Sequence, residues 1–414
     1  MLNSNDLKNY SSNFQISISE GKTVENKKNL SLKINSLAHA YNDAYLFVIP
    51  LLLPFFKLEF SFTYFQSGLI LTLNEALRSV FSLLTGLFTD RFGRKNLIIS
   101  LGFIISSLLL GSVLWIKKTS SIIIVLLLMA IAVATFHPLA TAMVGEKAKP
   151  DKKGRDLSLF SAAGTFGLIV ISLLFGWLVQ AWGWRLTCFI IAIPGLLIGW
   201  LYLKIREEKY EIEAIRSKTN FGNLLTVFFL SRAVLCLGTK VFLSFLPVYA
   251  TTCIGLKPGI SAWVISFYFF GVLTGSIFIS NLLDRKKPLQ FTIFSTASMI
   301  ILIYFFTYSN LTLLTLILIG IIGFMEGIYF PSQNTWLIMF SSNHRRGSLF
   351  GFGLFIEGLS ATISPTIYGW FADKYGLTYS YRLTVVPIFL SLILSLFLYK
   401  MVENIMIRVS KLPD

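Results

Sequence analysis

Long apolar runs, broken by short charged or Gly/Pro-marked segments, dominate the chain from about residue 36 to residue 403. Their lengths match the ~20 residues an α-helix needs to cross a hydrocarbon layer ~30 Å thick. Reading each break as a turn predicts twelve membrane-spanning helices, at about 36–56, 62–89, 96–116, 121–146, 155–182, 185–203, 223–253, 261–283, 289–307, 311–339, 347–372 and 380–403. Several are longer than a straight crossing requires, which implies tilt or kinks and no extra crossings. An even number of spans puts both chain ends on one side.

Composition agrees with this pattern. The 414 residues are 55% hydrophobic and 14% charged, with 38 Phe and a mean hydropathy of +0.71. That is too apolar for an ordinary soluble protein and fits an all-α integral membrane protein. The formal net charge of +16 would suit nucleic acid, but its placement argues otherwise. Of the 36 Lys and Arg, 26 fall in one alternate set of loops and tails and seven in the other. The positive-inside rule then puts both termini in the cytoplasm and accounts for the basic character without a nucleic-acid partner. The expected organisation is a cytoplasmic tail 1–35, a six-helix half 36–204, a mixed-charge linker 205–222, a second six-helix half 223–403 and a tail 404–414. The first 35 residues lack an apolar core, so no cleavable secretory signal is expected. Cys188, Cys236 and Cys253 lie at apolar positions without C-x-x-C spacing and read as packing residues, with no disulfide, metal site or cofactor implied.

The two halves repeat. His137-Pro138 corresponds to Phe330-Pro331, Gly176-Trp177 to Gly369-Trp370 and Gly154 to Gly347, each 193 residues apart; Asp90-Arg91 corresponds to Asp284-Arg285 at 194. Near-identical offsets spread over both halves point to a duplicated six-helix unit.

Ionisable residues within a bilayer are costly, so each is a functional candidate. Away from the span ends they are Asp43 in span 1, Glu75 and Arg78 in span 2, Arg232 and Lys240 in span 7, Glu326 in span 10 and Glu357 in span 11; the interiors of spans 3, 6, 9 and 12 carry none. His39, Asn42 and Asp43 share one helix face at i, i+3 and i+4; they face either a cavity or neighbouring helices at a snorkelling helix end. Glu75 and Arg78 are three apart and can form either an intrahelical clamp or a proton site. His39 corresponds to Arg232 at the 193 offset. A carboxyl group in a low-dielectric site takes up a proton more readily than one in water, so Glu326 and Glu357, with Asp43 and Glu75, are the proton-coupling candidates. Lys240 competes: paired with Glu326 or Glu357 it would make a gate or a substrate anchor. His137, before the helix-bending Pro138, is a relay or ligand candidate or else a satisfied histidine beside a kink. Gln333, Asn334 and Trp336 follow Pro331 and suit an organic ligand. The Gly351-Phe-Gly353 and Ser161-Ala-Ala-Gly164 runs read as helix-packing surfaces. No phosphate-binding P-loop, H-E-x-x-H or nucleophile elbow is present, so neither an ATP-driven pump nor an enzyme is expected.

Between spans 2 and 3 lies Gly86-Leu-Phe-Thr-Asp90-Arg91-Phe-Gly93-Arg94-Lys95. A short basic loop of this kind can be an orientation signal alone, but its order resembles the loop between the second and third helices of the major facilitator superfamily of secondary transporters. That resemblance, covering about residues 36–403, implies twelve transmembrane helices in two pseudo-symmetric halves that rock around a midplane site. It also implies that Asp90 meets span 11 to latch the cytoplasmic ends of the halves. The second copy is degraded, with Ser280 in place of the leading glycine. His39-Ala-Tyr-Asn42-Asp43, Phe136-His137-Pro138-Leu-Ala and Ser158 to Gly167 are similar to the fosmidomycin-resistance branch of exporters. The resemblance implies proton-coupled efflux of a small organic molecule across a bacterial cytoplasmic membrane by a monomer. The chain departs from the antiporter pattern in lacking proline in span 5 between Ile169 and Gly176. Symport of a sugar, organic acid or other metabolite is the in-class alternative, and a receptor or channel-like protein on the same scaffold is the other.

Overall fold

A computed structural model describes residues 33–92, 94–147, 153–204, 222–283, 288–309, 312–340 and 346–409. The described residues are almost wholly helical, and a helix crossing lipid satisfies its backbone hydrogen bonds within its own segment. The helices are α1 (33–60), α2 (Tyr64–Phe92), α3 (Lys95–Ser112), α4 (Thr119–Ala134), α5 (Phe136–Lys147), α6 (Lys153–Lys204), α7 (Asn223–Thr252), α8 (Pro258–Leu283), α9 (Pro288–Tyr308), α10 (Thr312–Phe340), α11 (Arg346–Tyr375), α12 (Leu377–Leu383) and α13 (Val385–Val409). Among the described residues, eight helical segments are long and apolar enough to cross a membrane, and one, Leu159–Lys204, has the length of two spans. The three other spans expected from the sequence are α1, α2 and α11, which carry Asp43, Glu75 with Arg78, and Glu357.

Local chemistry explains the breaks. Span 4 divides into α4 and α5 at Thr135, because Pro138 lacks the N–H that would continue the ladder back to that turn. Spans 5 and 6 are the two arms of α6, which turns at Gly183 with φ 73° and ψ 164°, a conformation open only to glycine. At the start of α3, Arg94 takes the left-handed φ of 61°, so the hinge is turned tightly enough to hold a non-glycine residue there. Asp90 and Arg91 lie in the last turn of α2, but their side chains, together with Gly93, Asp284, Arg285, most of the tail 1–35 and the linker to residue 221, fall outside the described residues.

The halves, α1–α6 and α7–α13, meet through α2 against α11 and α6 against α8. These contacts concentrate at the end of the molecule opposite the Gly86–Lys95 hinge. The Asp373 carboxylate, near the end of α11, accepts hydrogen bonds from the backbone N–H groups of Tyr64 and Phe65, each 2.8 Å long, at the start of α2. One turn further in, Gly68 lies on the Pro365 carbonyl and Gly369 on that of Tyr64, approaches that leave no room for a Cβ. Thr366 Oγ1 donates to Thr72 Oγ1 at 2.8 Å. Across the molecule, Trp263 Nε1 donates to the Leu173 carbonyl and Ser266 Oγ to that of Ile169, both at 3.1 Å. Toward the hinge the halves part: Gly86 and Gly351 face open space, and Leu83, Leu87, Phe88 and Phe355 are all more than half exposed.

Candidate functional site

The charged groups predicted within the membrane gather where α1, α2, α5, α7, α10 and α11 approach one another, between the closed end and the hinge end. The repeat makes the two halves comparable position by position.

In the first half, α1 places His39 and Asp43 one turn apart, and the break at Thr135 brings His137 of α5 beside them. His39 Nε2 lies 3.4 Å from Asp43 Oδ2, and His137 Nε2 lies 3.1 Å from Asp43 Oδ1. His39 Nδ1 is 2.6 Å from the Phe160 carbonyl oxygen, and its ring is stacked on that of Phe160, centroids 4.1 Å apart. His39 is buried, whereas the His137 side chain is 38% exposed and marks the open side of the cluster. Asn42 is buried beside them, with no hydrogen-bond partner for Nδ2. Glu75 and Arg78 form the intrahelical ion pair open to them by spacing.

In the second half, Arg232 of α7 occupies the position equivalent to His39. Its Nε donates to the Glu357 carboxylate of α11, and its NH1 donates to Asn334 Oδ1 at 2.8 Å. Phe330, equivalent to His137, lies between two cations, 5.1 Å from the Arg232 guanidinium carbon and 6.0 Å from Lys240 Nζ, distances at which a ring face attracts positive charge. Lys240 therefore does not pair with Glu357, because Arg232 already holds that carboxylate. Nor does it form an ion pair with Glu326, whose Oε2 is buried without a hydrogen-bond partner. The carboxylates whose charges act on Lys240 are Glu326, Glu357 and, from the opposite half, Glu75.

A difference between the halves is visible only in three dimensions. The first half carries its carboxylate on α1, at Asp43, and has Gly164 on the facing helix. The second half carries it on the facing helix, at Glu357, and has Cys236 on α7. A Cβ on Gly164 would stand 2.4 Å from Asp43 Oδ2 and 2.9 Å from His39 Nε2. The glycine thus makes room for the acid of α1, a closer relation to the charged groups than the helix-packing role its sequence suggests.

Not every candidate joins the charged group. Trp336 is buried against Phe228, centroids 4.7 Å apart, within an apolar cluster that includes Phe229, Leu289 and Leu398. Gln333 is fully buried, and neither side-chain polar atom has a partner. Phe160, Gly164 and Phe330 carry no ionisable group that would mark them as site residues in the sequence. Only the repeat offset, which gives Phe330 as the counterpart of His137, signalled any of them.

The family model for the Major Facilitator Superfamily matches residues 36–234 and again 228–405. The chain is 23% identical over 364 residues to the cis,cis-muconate transport protein of Acinetobacter baylyi, covering 81% of this chain and 86% of that protein. It is 24% identical over 298 residues to the proton-coupled antiporter flippase LtaA of Staphylococcus aureus, covering 69% and 73%. Among solved structures, a bacterial homolog of the human lysosomal transporter Spinster, in an inward-facing and occupied conformation, superposes with a TM-score of 0.78 at 17% identity, over 90% of this chain and 97% of that one.

Proposed function

The chain belongs to the Major Facilitator Superfamily, and from that premise we propose that it carries a small organic anion across the cytoplasmic membrane together with protons. The halves rock around the midplane charges, the hinge faces the cytoplasm with both termini, and the described conformation is the inward-open one. The observation that carries this reading is Lys240, a membrane-embedded cation without an ion-pair partner among the described residues, next to the unpartnered carboxylate oxygen of Glu326.

The coupling follows from charge balance. Arg78 is neutralised by Glu75 and Arg232 by Glu357, which leaves Lys240 and Glu326 as the groups free to answer a ligand. A proton on Glu326 removes an unpaired buried charge and withdraws a negative neighbour from Lys240, which can then accept a substrate carboxylate. An anion on Lys240 in turn favours the proton, since such coupling is reciprocal. Two ligands that help each other onto the carrier cross together, so the geometry favours symport over proton-driven export. The likeness to the muconate transport protein accords with an anionic cargo, muconate being a dicarboxylate. Export by proton exchange is the second reading, and it rests on the exporter-like motifs and the likeness to the LtaA antiporter.

Proteoliposomes separate the two. A substrate pulse without an imposed gradient should acidify the lumen if proton and anion enter together, whereas exchange would make it alkaline. Glu326→Gln should abolish pH-gradient-driven flux and retain substrate exchange, and Lys240→Gln should weaken binding of anions. Full gradient-driven flux in both Glu326→Gln and Glu357→Gln would overturn the assignment of the proton to this half.

A further inference from the structure

The His39–Asp43–His137 cluster is not used by the coupling scheme above, and its geometry does not fit a set of mutually satisfied side chains. The Phe160 carbonyl oxygen can only accept a hydrogen bond, so the Nδ1 atom 2.6 Å from it carries the proton of His39. That fixes the neutral ring in the tautomer whose bare Nε2 lone pair points toward Asp43 Oδ2, 3.4 Å away. A lone pair facing a carboxylate oxygen repels unless a proton or a metal ion lies between them. Asp43 Oδ1 also lacks a well-formed hydrogen bond, although His137 Nε2 is 3.1 Å from it.

We propose that these three side chains form a binding site for a first-row divalent transition-metal ion. One ligand atom from each residue lies within 4.8 Å of the others. Asp43 turns Oδ2 to His39 at 3.4 Å and Oδ1 to His137 at 3.1 Å, spacings that suit a carboxylate binding through both oxygens with the two imidazole nitrogens about 2.0–2.2 Å from a shared centre. Two imidazoles and one carboxylate are a donor set suited to zinc, nickel, cobalt or ferrous iron, and poorly suited to magnesium or calcium. The Nδ1–H of His39 held by a backbone carbonyl is the outer contact that orients a metal-bound histidine.

The surroundings fit as well. Phe160 and Phe136 flank the His39 ring and keep water from that side. Gly164 leaves the third side free, since any Cβ there would reach Asp43 Oδ2 and His39 Nε2. The remaining coordination positions open past the half-exposed His137, where water or an oxygen donor of a ligand would complete the shell. The site itself depends on neither the direction of transport nor the nature of the cargo.

The test is a titration of purified protein in detergent with Co²⁺ and Zn²⁺, after removal of any affinity tag and in a His344→Gln background, since the chain has only three histidines. Wild-type protein should bind about one Co²⁺ per chain, with the visible absorption of a nitrogen- and oxygen-ligated ion, and Zn²⁺ should displace it. His137→Ala and Asp43→Asn should each weaken binding at least tenfold. Gly164→Ala, which keeps every ligand but fills the space behind them, should weaken it as well, so the outcome does not rest on removing a charge. Absence of saturable binding to the wild type would overturn the proposal, as would one-to-one binding left unchanged in both His137→Ala and Asp43→Asn.

Discussion

Removing Asp373 should open the end of the molecule that is closed here. Its two oxygens accept separate backbone N–H groups at the first turn of α2, so one side chain ties the second half to the first and also faces the positive end of a helix. A hydrogen bond to a charged group contributes about 1.5–3 kcal/mol when buried. Asp373 is exposed, so about 0.5–1 kcal/mol for each is appropriate. The helix terminus adds about 0.3–1 kcal/mol. The sum, near 2 kcal/mol, corresponds to about a thirtyfold change in the equilibrium between closed and open at this end. If the far-open state holds about 1% of the population, as minor states commonly do, Asp373→Ala should raise it to roughly a quarter. Thr72 reports on it, since its hydroxyl faces Thr366 across the α2–α11 contact. In a Cys253→Ser background, the labelling rate of Thr72→Cys by an impermeant maleimide should rise about twentyfold with Asp373→Ala. Labelling of Gly351→Cys at the hinge end should fall by no more than about a quarter. A Thr72→Cys rate within twofold of its parent, in folded protein, would show that the Asp373 contact does not hold the end shut.

The remaining expectations concern the buried and surface ion pairs. Glu357→Gln should destabilise the protein by about 2–4 kcal/mol, toward the low end of a broken buried pair because Asn334 still satisfies one Arg232 N–H. Arg232→Gln with Glu357→Gln should recover at least about 1.5 kcal/mol of the two single losses in a double-mutant cycle on unfolding, and additivity within about 0.5 kcal/mol would deny the coupling. At the closed end, Arg185 donates to both oxygens of Glu59 at 3.0 and 2.6 Å and Trp184 Nε1 adds a third bond, and the Arg185 contacts hold the Glu59 carboxyl below the usual carboxylate range. A lowered folded-state value stabilises above the unfolded carboxylate range and is lost as pH falls through the folded value. Glu59→Gln should therefore cost less than about 1 kcal/mol near neutrality, the pair being partly exposed and screened by solvent. Its effect should vanish in strong acid, and equal destabilisation at both pH values would refute the electrostatic origin.

Much of the architecture was legible in the chain because a bilayer imposes one-dimensional rules. A span must be long and apolar, its ends are marked by charge, and breaks fall at Gly183 and near Pro138, where the backbone needs them. The intrahelical pair of Glu75 with Arg78 was available from spacing for the same reason, as was the shared face of His39 and Asp43. What spacing cannot give is the choice among distant partners. Arg232 and Lys240 lie on the same helix, two turns apart, and nothing in the sequence says which reaches Glu357. His137 stands 94 residues from Asp43 and comes beside it only through the break at Thr135. The sequence reading accordingly expects no metal site, whereas the folded chain brings three donor groups together. Asp373 carried no signal, since an acidic residue near the end of a span is ordinary until its two N–H partners are seen.

The exchanged positions of the two acids have a mechanical consequence. His39 and Asp43 are on the same helix, so α1 carries that contact whole, with His137 of α5 and the Phe160 carbonyl of α6 meeting it from the neighbouring helices. Arg232 and Glu357 are on different helices, so α11 cannot slide or tilt far against α7 without stretching the bond between them. A displacement of α11 against α7 would therefore load the Arg232–Glu357 bond first, whereas a displacement of α1 would leave the His39–Asp43 contact intact.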